Sequence, residues 1–492
     1  MHKKRSNFHR WFSLFSAVLY ACVLFSNTCL TVLADIDAES LLEANRAMPI
    51  QSNQVANWPT GPVVGAESAI LMEVETGAIL YEKNIHMREY PASTTKLLTT
   101  VIATEQCSMD EIVTFSHDAV FDTPRDSSHI AMDVGQELTM EQCLNAILIR
   151  SANEVSFAVA EHISGTTDWS VFAEMMNERA AELGCLNSHF VNPNGLPDED
   201  HYTTAYDLAM IGRAFFSNEM LCKITLTRRM EFPVTDKLPK GKLELNLMKL
   251  IPGGEYAYEY LVGCKTGYTN DARSCLVSCA EKDGMKLICV VMKDESPYQY
   301  EDTIALFNYG FNNFDKVNVA QTETKYNIDN TGLFYSGNDI FGSSQPILSL
   351  NKNDYVILPK TAGFQDLDSV ISYDTDNENQ AAVITYTYHD VYIGSVSLNF
   401  VGNQENSSGL FNTSEDEPDV KESKSTSVIF INIIKILGVL IAIAVIGFIV
   451  FLVKLFLRNY EFGGHGQRNW KKVNRHHRRK TKGTSEFRDY DF

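Results

Sequence analysis

Pro91-Ala92-Ser93-Thr94-Thr95-Lys96-Leu97-Leu98-Thr99 joins a proline to an apolar run that continues through Val101 and Ile102. A proline just ahead of apolar residues at one-turn spacing predicts a buried helix beginning near Ser93. A serine at that end meets the positive pole of the helix and its free backbone N–H groups. Lys96 follows one turn later, so the two side chains share a face. A serine hydroxyl needs a base to become a nucleophile. A lysine serves as one only when burial or a second cation lowers its pKa. Taken alone, the same pattern describes a capping serine beside a surface lysine.

Two more motifs change that balance. Ser151-Ala152-Asn153 lies between apolar runs over Met140 to Ile149 and Val155 to Ile163, a helix–helix corner where polar side chains can face a cleft. Lys265-Thr266-Gly267 falls in a strand-like run. Lys265 is a candidate second cation, and Gly267 leaves room for an extended peptide at a strand edge. Each motif has a plain alternative: helix capping for the first, a bulge or turn approach for the second. S-x-x-K recurs at Ser349 to Lys352, and S-x-N at Ser336, Ser349 and Ser397, but those copies have no companions; Lys-Thr-Gly occurs once. The ordered trio, each member on a suitable element, is what reads as chemistry.

Strands bracket the helices. Ala69 to Glu73 and Ala78 to Glu82 flank Thr76-Gly77, a hairpin signal. Tyr260 to Tyr268, Ser274 to Ala280 and Lys286 to Met292 follow, joined by Thr269-Asn270-Asp271 and Lys282-Asp283-Gly284. Strands from both ends of the region with helices between them predict one antiparallel sheet covered by helices. Farther on, Ile384, Tyr386, Tyr388, Val391 and Ile393 alternate with polar residues and predict a small all-β domain without helices.

The chain has 492 residues, 45% hydrophobic and 21% charged, which is a globular composition. Residues 35–427 hold 26 basic and 58 acidic residues, a net charge of −32. A body that acidic excludes nucleic acid as a partner. The ends are basic. Lys3, Lys4, Arg5 and Arg10 precede an apolar stretch from Trp11 to Leu33, and Val32-Leu33-Ala34 offers a cleavage site before Asp35. This reads as a secretory signal, with an uncleaved anchor as the alternative. Ile436 to Val453 is 18 residues without a charge, flanked by Lys435 and Lys454 and followed by a tail rich in Lys and Arg, from Arg468 to Lys482. That pattern predicts a membrane helix with its basic flank on the cytoplasmic side. The expected organisation is a signal peptide (1–34), a polar lead-in (35–60), a mixed α+β domain (61–315), an all-β domain (316–402), a stalk (403–427), a transmembrane helix (428–457) and a basic cytoplasmic tail (458–492). Eight cysteines follow the signal: Cys107, Cys143, Cys185, Cys222, Cys264, Cys275, Cys279 and Cys289. They read as buried thiols, with one or two bridges left open.

The trio S-x-x-K, S-x-N and K-T-G resembles the signature of penicillin-binding proteins and class A β-lactamases. Over residues 63–402 the chain closely resembles the low-molecular-weight penicillin-binding proteins, the serine-type D-alanyl-D-alanine carboxypeptidases. The likeness extends to Asn192-Pro193-Asn194-Gly195-Leu196, to His201 through Ala209, and to Lys265-Thr266-Gly267-Tyr268-Thr269. Departures are Glu154 after Ser-Ala-Asn, Cys264 before Lys265, and Arg273 at a position often small. The resemblance implies an α+β catalytic domain of the penicillin-binding/β-lactamase-like type, with an antiparallel sheet covered by helices, then an all-β domain and a membrane anchor. It implies removal of the terminal D-Ala from peptidoglycan stem peptides through an acyl-enzyme on Ser93, β-lactams as inhibitors, and a body on the cell-wall side of the membrane. It implies Lys96 as the base, Ser151 and Lys265 as a proton relay, Asn153 on the substrate amide, and Thr266 on the terminal carboxylate. Gly267 and Tyr268 complete the substrate strand, with the N–H groups of Ser93 and Tyr268 as an oxyanion hole. It implies no metal or organic cofactor, and the sequence has no H-E-x-x-H, no Walker loop, and no calcium-loop glycine in Asp374 to Glu378. Two rivals were a β-lactamase, for which no placed Glu–Asn motif lies between Ser151 and Lys265, and a membrane sensor, for which the tail is too short to hold an output domain.

Overall fold

The structure is a computed structural model. It describes residues 38–324 and 348–400, apart from Pro233, Lys237, Pro239, Asp376 and Glu378. The signal, stalk, transmembrane segment and tail read from the sequence lie outside these residues. Among the described residues no helix is long and apolar enough to cross a membrane.

The central element is a five-stranded antiparallel sheet in the order Ile79–Lys83, Ser68–Glu73, Met285–Asp294, Arg273–Lys282, Leu261–Thr269. The middle strands are apolar almost throughout because both faces are covered. Their side chains alternate between two cores, as the two-residue pleat demands. Ile70, Met72, Ile288, Val290 and Met292 enter one core; Ala69, Leu71, Leu287, Cys289 and Val291 enter the other. Lys282 pairs with Met285 across Asp283-Gly284, whose φ values of 52° and 76° make the tight turn that twisted hairpin strands favour.

On the first face pack Lys96–Gln106, Met140–Arg150, Asn153–Ser164 and Ala205–Phe216. Leu97, Leu98, Val101 and Ile102 are all buried there, as the sequence spacing required. Each such side chain contributes about 1.5–3 kcal/mol by leaving water. The helix start differs from expectation. Ser93 lies in a 3-10 turn, Ala92–Thr95, that feeds the α-helix beginning at Lys96. The turn is tightened by Ala92 at φ +48°.

The opposite face is covered by Tyr298–Asn313 and by the β region. There Leu348–Leu350, Val391–Phe400, Gln380–Tyr388 and Asp368–Ser372 form a four-stranded antiparallel sheet, and Phe314–Asn318 pairs with Tyr355–Pro359. Ile384, Tyr386, Tyr388 and Ile393 point inward. The region is not free of helix, as the alternation had suggested: Val319–Thr322 forms one short turn of helix, held by the Asn318 side-chain cap. It also shares its core with the five-stranded sheet. Trp58 stacks near Phe314 and Tyr388, with centroids 5.2 and 6.3 Å apart. The Tyr355 hydroxyl donates within reach of both Glu73 and Glu75, at 2.9 and 2.7 Å.

The polar lead-in also differs from expectation. Ala38–Arg46 is a helix, and Leu42, Asn45 and Trp58 are buried. A few well-spaced apolar residues suffice to dock a segment whose average composition is polar.

Candidate active site

Three elements meet at Ser93. The turn Ala92–Thr95 presents it, the corner between Met140–Arg150 and Asn153–Ser164 faces it, and the edge strand Leu261–Thr269 runs beside it. Lys96 is fully buried, and its Nζ lies 3.0 Å from Ser93 Oγ, 2.7 Å from Asn153 Oδ1 and 2.6 Å from the Asn194 carbonyl oxygen. Burial pushes its pKa well below the ordinary lysine value, and the nearby Lys265 cation pushes the same way, against an opposing pull from Glu154.

The partners of Lys96 fix the direction of its bond to Ser93. A neutral amine has two N–H donors and one lone pair. The Asn153 amide oxygen and the Asn194 carbonyl are acceptors only, so they take both N–H groups. In the neutral form this leaves the lone pair facing the Ser93 hydroxyl at 3.0 Å, which can then donate to it.

Lys265 is also buried, and its Nζ donates to Ser151 Oγ at 3.1 Å and to the Thr266 carbonyl at 2.6 Å. Burial lowers its pKa to about 7. Ser151 does not cap the following helix: it ends Met140–Arg150 in the left-handed region at φ 58°, and Ala152 caps Asn153–Ser164 without a side-chain bond. That strained corner turns Ser151 toward Lys265 and Asn153 toward Lys96, so the capping alternative fails.

Gly267 is where the edge strand comes closest to the nucleophile turn. A Cβ there would stand 2.9 Å from the Pro91 oxygen and the Ser93 nitrogen and 3.0 Å from the Thr94 nitrogen. The glycine thus admits the turn itself, beyond the peptide approach read from the sequence. Thr266 is half-buried and Tyr268 exposed, and Leu261–Thr269 has a sheet partner on one side only among the described residues. Every predicted site residue therefore lies at this junction.

The sequence motifs did not assign a role to the loop behind the site. Besides Asn194, Pro193 accepts from Thr99 Oγ1 at 2.7 Å. Gly195 sits at φ +81°, where a Cβ would overlap the Ala92 carbonyl. His201 is buried, and its pKa is lowered to about 3, so it is neutral. Its Nδ1 accepts from the Val191 N–H at 3.2 Å, which puts the proton on Nε2, donating to Thr95 Oγ1 at 2.9 Å. The available signal was turn chemistry, Asn-Pro followed by Asn-Gly. Glu154 is also buried and accepts from the Ile130 N–H at 2.7 Å, pinning the segment opposite the corner. Arg273, in the left-handed region at φ +51°, makes a two-pronged ion pair with Glu295 at 2.6 and 2.7 Å. All eight cysteines are free thiols, and seven of them are buried.

Residues 55–296 match the family model described as D-alanyl-D-alanine carboxypeptidase. Through this region, about half of its length, the chain is similar to that family. It is similar to a D-alanyl-D-alanine carboxypeptidase of Bacillus subtilis, 34% identical over 51% of this chain and 63% of that protein. A D-alanyl-D-alanine carboxypeptidase of Escherichia coli is 28% identical over 61% of this chain and 73% of its own length. The chain thus spans under two thirds of the Bacillus protein. Among solved structures, penicillin binding protein 5 of Haemophilus influenzae superposes with a TM-score of 0.54 over 69% of this chain and 98% of that one, at 24% identity. That likeness bears on the fold, which is of the penicillin-binding, β-lactamase-like α+β type.

Proposed function

We propose that the protein is a serine-type D-alanyl-D-alanine carboxypeptidase acting on peptidoglycan stem peptides. The observation that carries the reading is the buried Lys96 nitrogen 3.0 Å from Ser93 Oγ, with its two N–H groups committed elsewhere. Substrate adds as an extended strand along Leu261–Thr269, the main-chain mode of peptide recognition at a sheet edge. The terminal carboxylate lies toward Lys265 and Thr266. Ser93 Oγ attacks the penultimate D-Ala carbonyl as its proton passes to Lys96. The oxyanion forms against the backbone N–H groups of Ser93 and Tyr268. Ser151, hydrogen-bonded to Lys265, delivers a proton to the departing D-Ala amine, and Asn153 holds both Lys96 and the substrate amide. Water then releases the shortened peptide from the acyl-enzyme. β-Lactams acylate the same serine.

The apolar segment within 428–457 anchors this body to the membrane on its cell-wall side, leaving the basic tail in the cytoplasm. The composition of that segment and the positive charge behind it support the orientation. Protease added outside intact cells should remove the body and spare the tail; a digested tail overturns the topology.

The activity is tested by mass spectrometry of the full-length protein incubated with a tripeptide ending in D-Ala-D-Ala, and separately with penicillin. Release of one D-Ala and a covalent adduct on Ser93 are expected. Penicillin binding without D-Ala release would point to a sensor.

A further inference from the structure

Cys107 is the one cysteine of the eight that is not buried. It follows the helix Lys96–Gln106 as its C-terminal cap, with its N–H bonded to the Ala103 carbonyl. Glu111 stands just before the strand Ile112–Thr114, and His162 lies in the last turn of Asn153–Ser164. The Cys107 sulfur, a Glu111 carboxylate oxygen and a His162 ring nitrogen all lie within 4.8 Å of one another. Two residues four positions apart and a third 51 positions beyond thus converge at one half-buried spot.

We propose that Cys107, Glu111 and His162 form a three-ligand site for a divalent transition-metal ion of the zinc type, remote from Ser93. A thiolate, an imidazole and a carboxylate are the donor set such an ion takes, with water filling a fourth, tetrahedral position. His162 Nε2 and Glu111 Oε2 are hydrogen-bonded at 2.9 Å, and an ion would replace the proton between them, the imidazole then carrying its proton on Nδ1. The other Glu111 oxygen accepts from the Ser108 N–H at 2.6 Å, the kind of outer bond that orients a ligating carboxylate. The Glu111 backbone is held as well, its N–H on Ser108 and its carbonyl on the Met140 N–H. Ligands of tetrahedral zinc stand about 3.5 Å apart, so side-chain rotation of roughly an ångström closes the site. Cys107 loses its proton to solvent on binding, since a thiolate is the ligating form. The ion would join the C-terminal ends of the two helices whose first residues are Lys96 and Asn153. It would therefore brace, from about 15 Å away, the pair of helices that aims the catalytic base.

The test uses the full-length protein, freed of metal and titrated with cobalt(II). A sulfur-to-cobalt charge-transfer band is expected, bleached by added zinc, absent in Cys107→Ser, and requiring roughly tenfold or more higher cobalt in His162→Asn. A second measurement needs no variant: zinc should slow alkylation of Cys107 by iodoacetamide, read by peptide mass spectrometry. No band in the wild type, a band that survives Cys107→Ser, or alkylation indifferent to zinc would each overturn the site.

Discussion

Gly267 lies so close to Ser93 that a Cβ on it would stand 2.9 Å from the serine's backbone nitrogen. The edge strand Leu261–Thr269 and the turn Ala92–Thr95 are therefore in van der Waals contact through the absence of one side chain. Their spacing, which sets the gap between the Ser93 and Tyr268 N–H groups, is a property of that contact.

Gly267→Ala should push the turn away from the strand. The added methyl meets backbone atoms of Pro91, Ser93 and Thr94 rather than a yielding side-chain tip. A shift approaching an ångström at a reacting atom costs about a hundredfold in kcat. Steady-state kinetics beside a thermal melt would check this: the rate should collapse while the protein stays folded.

Ser93→Ala should abolish both D-Ala release and covalent penicillin labelling, with a loss that could reach on the order of 10⁶ in kcat. The Lys96 Nζ has no hydroxyl other than that of Ser93 hydrogen-bonded to it among the described residues. Labelling that survives on another serine would refute the assignment.

The pH profile should follow Lys265. The productive enzyme has Lys96 neutral and Lys265 charged. In the free enzyme kcat/KM should fall as pH rises through about 7, where the buried Lys265 gives up its proton. Lys265→Arg, which keeps its charge, should move that limb up by roughly one pH unit or more. The stability consequence has the opposite sense. Between about 7 and the ordinary 10.5, the unfolded chain holds a proton on Lys265 that the folded chain has lost. Stability through this group therefore rises with pH over that window, by up to about 1.4 kcal/mol per unit, and Lys265→Met should remove the slope in urea melts.

Penicillin should acylate Ser93 and leave slowly, so that the protein is inhibited. The opened ring keeps its amine tethered over the ester, and deacylation then needs a base aimed at a new water. Lys96 is committed to Ser93, and the Glu154 carboxylate is bonded to the Ile130 N–H. A labelled adduct chased with unlabelled drug should persist for minutes or longer. Turnover many times per second would move the reading to a β-lactamase.

The five strands and the helices Met140–Arg150 and Asn153–Ser164 were legible in the sequence to within a residue or two at most ends, whereas Trp169–Glu182, Ala205–Phe216 and Glu219–Leu226 were not read from it. Periodicity reports burial, and here burial has two clear modes: continuous apolar runs for strands covered on both faces, and turn-spaced stripes for helices covered on one. What escaped this reading was polar on average yet docked, as in the lead-in around Leu42 and Trp58, or too short to show a period, as in Val319–Thr322. The same holds for the Asn192–Gly195 loop, whose turn chemistry is visible but whose position behind Lys96 is not.

Which residues are candidates for chemistry, and in what order, was determined by the sequence alone, because a hydroxyl, an amine and a second cation are residue types, and local spacing sets the element each sits on. Only the tertiary structure decided what those residues are. Lys96 is placed to act as a base because it is buried and Asn153 and Asn194, 57 and 98 positions away, accept hydrogen bonds from its Nζ. Ser151 meets Lys265 in place of capping a helix because a left-handed corner turns it across 114 residues. A pKa and a bond direction are set by what surrounds a group, and contacts so distant along the chain leave no periodic trace in it.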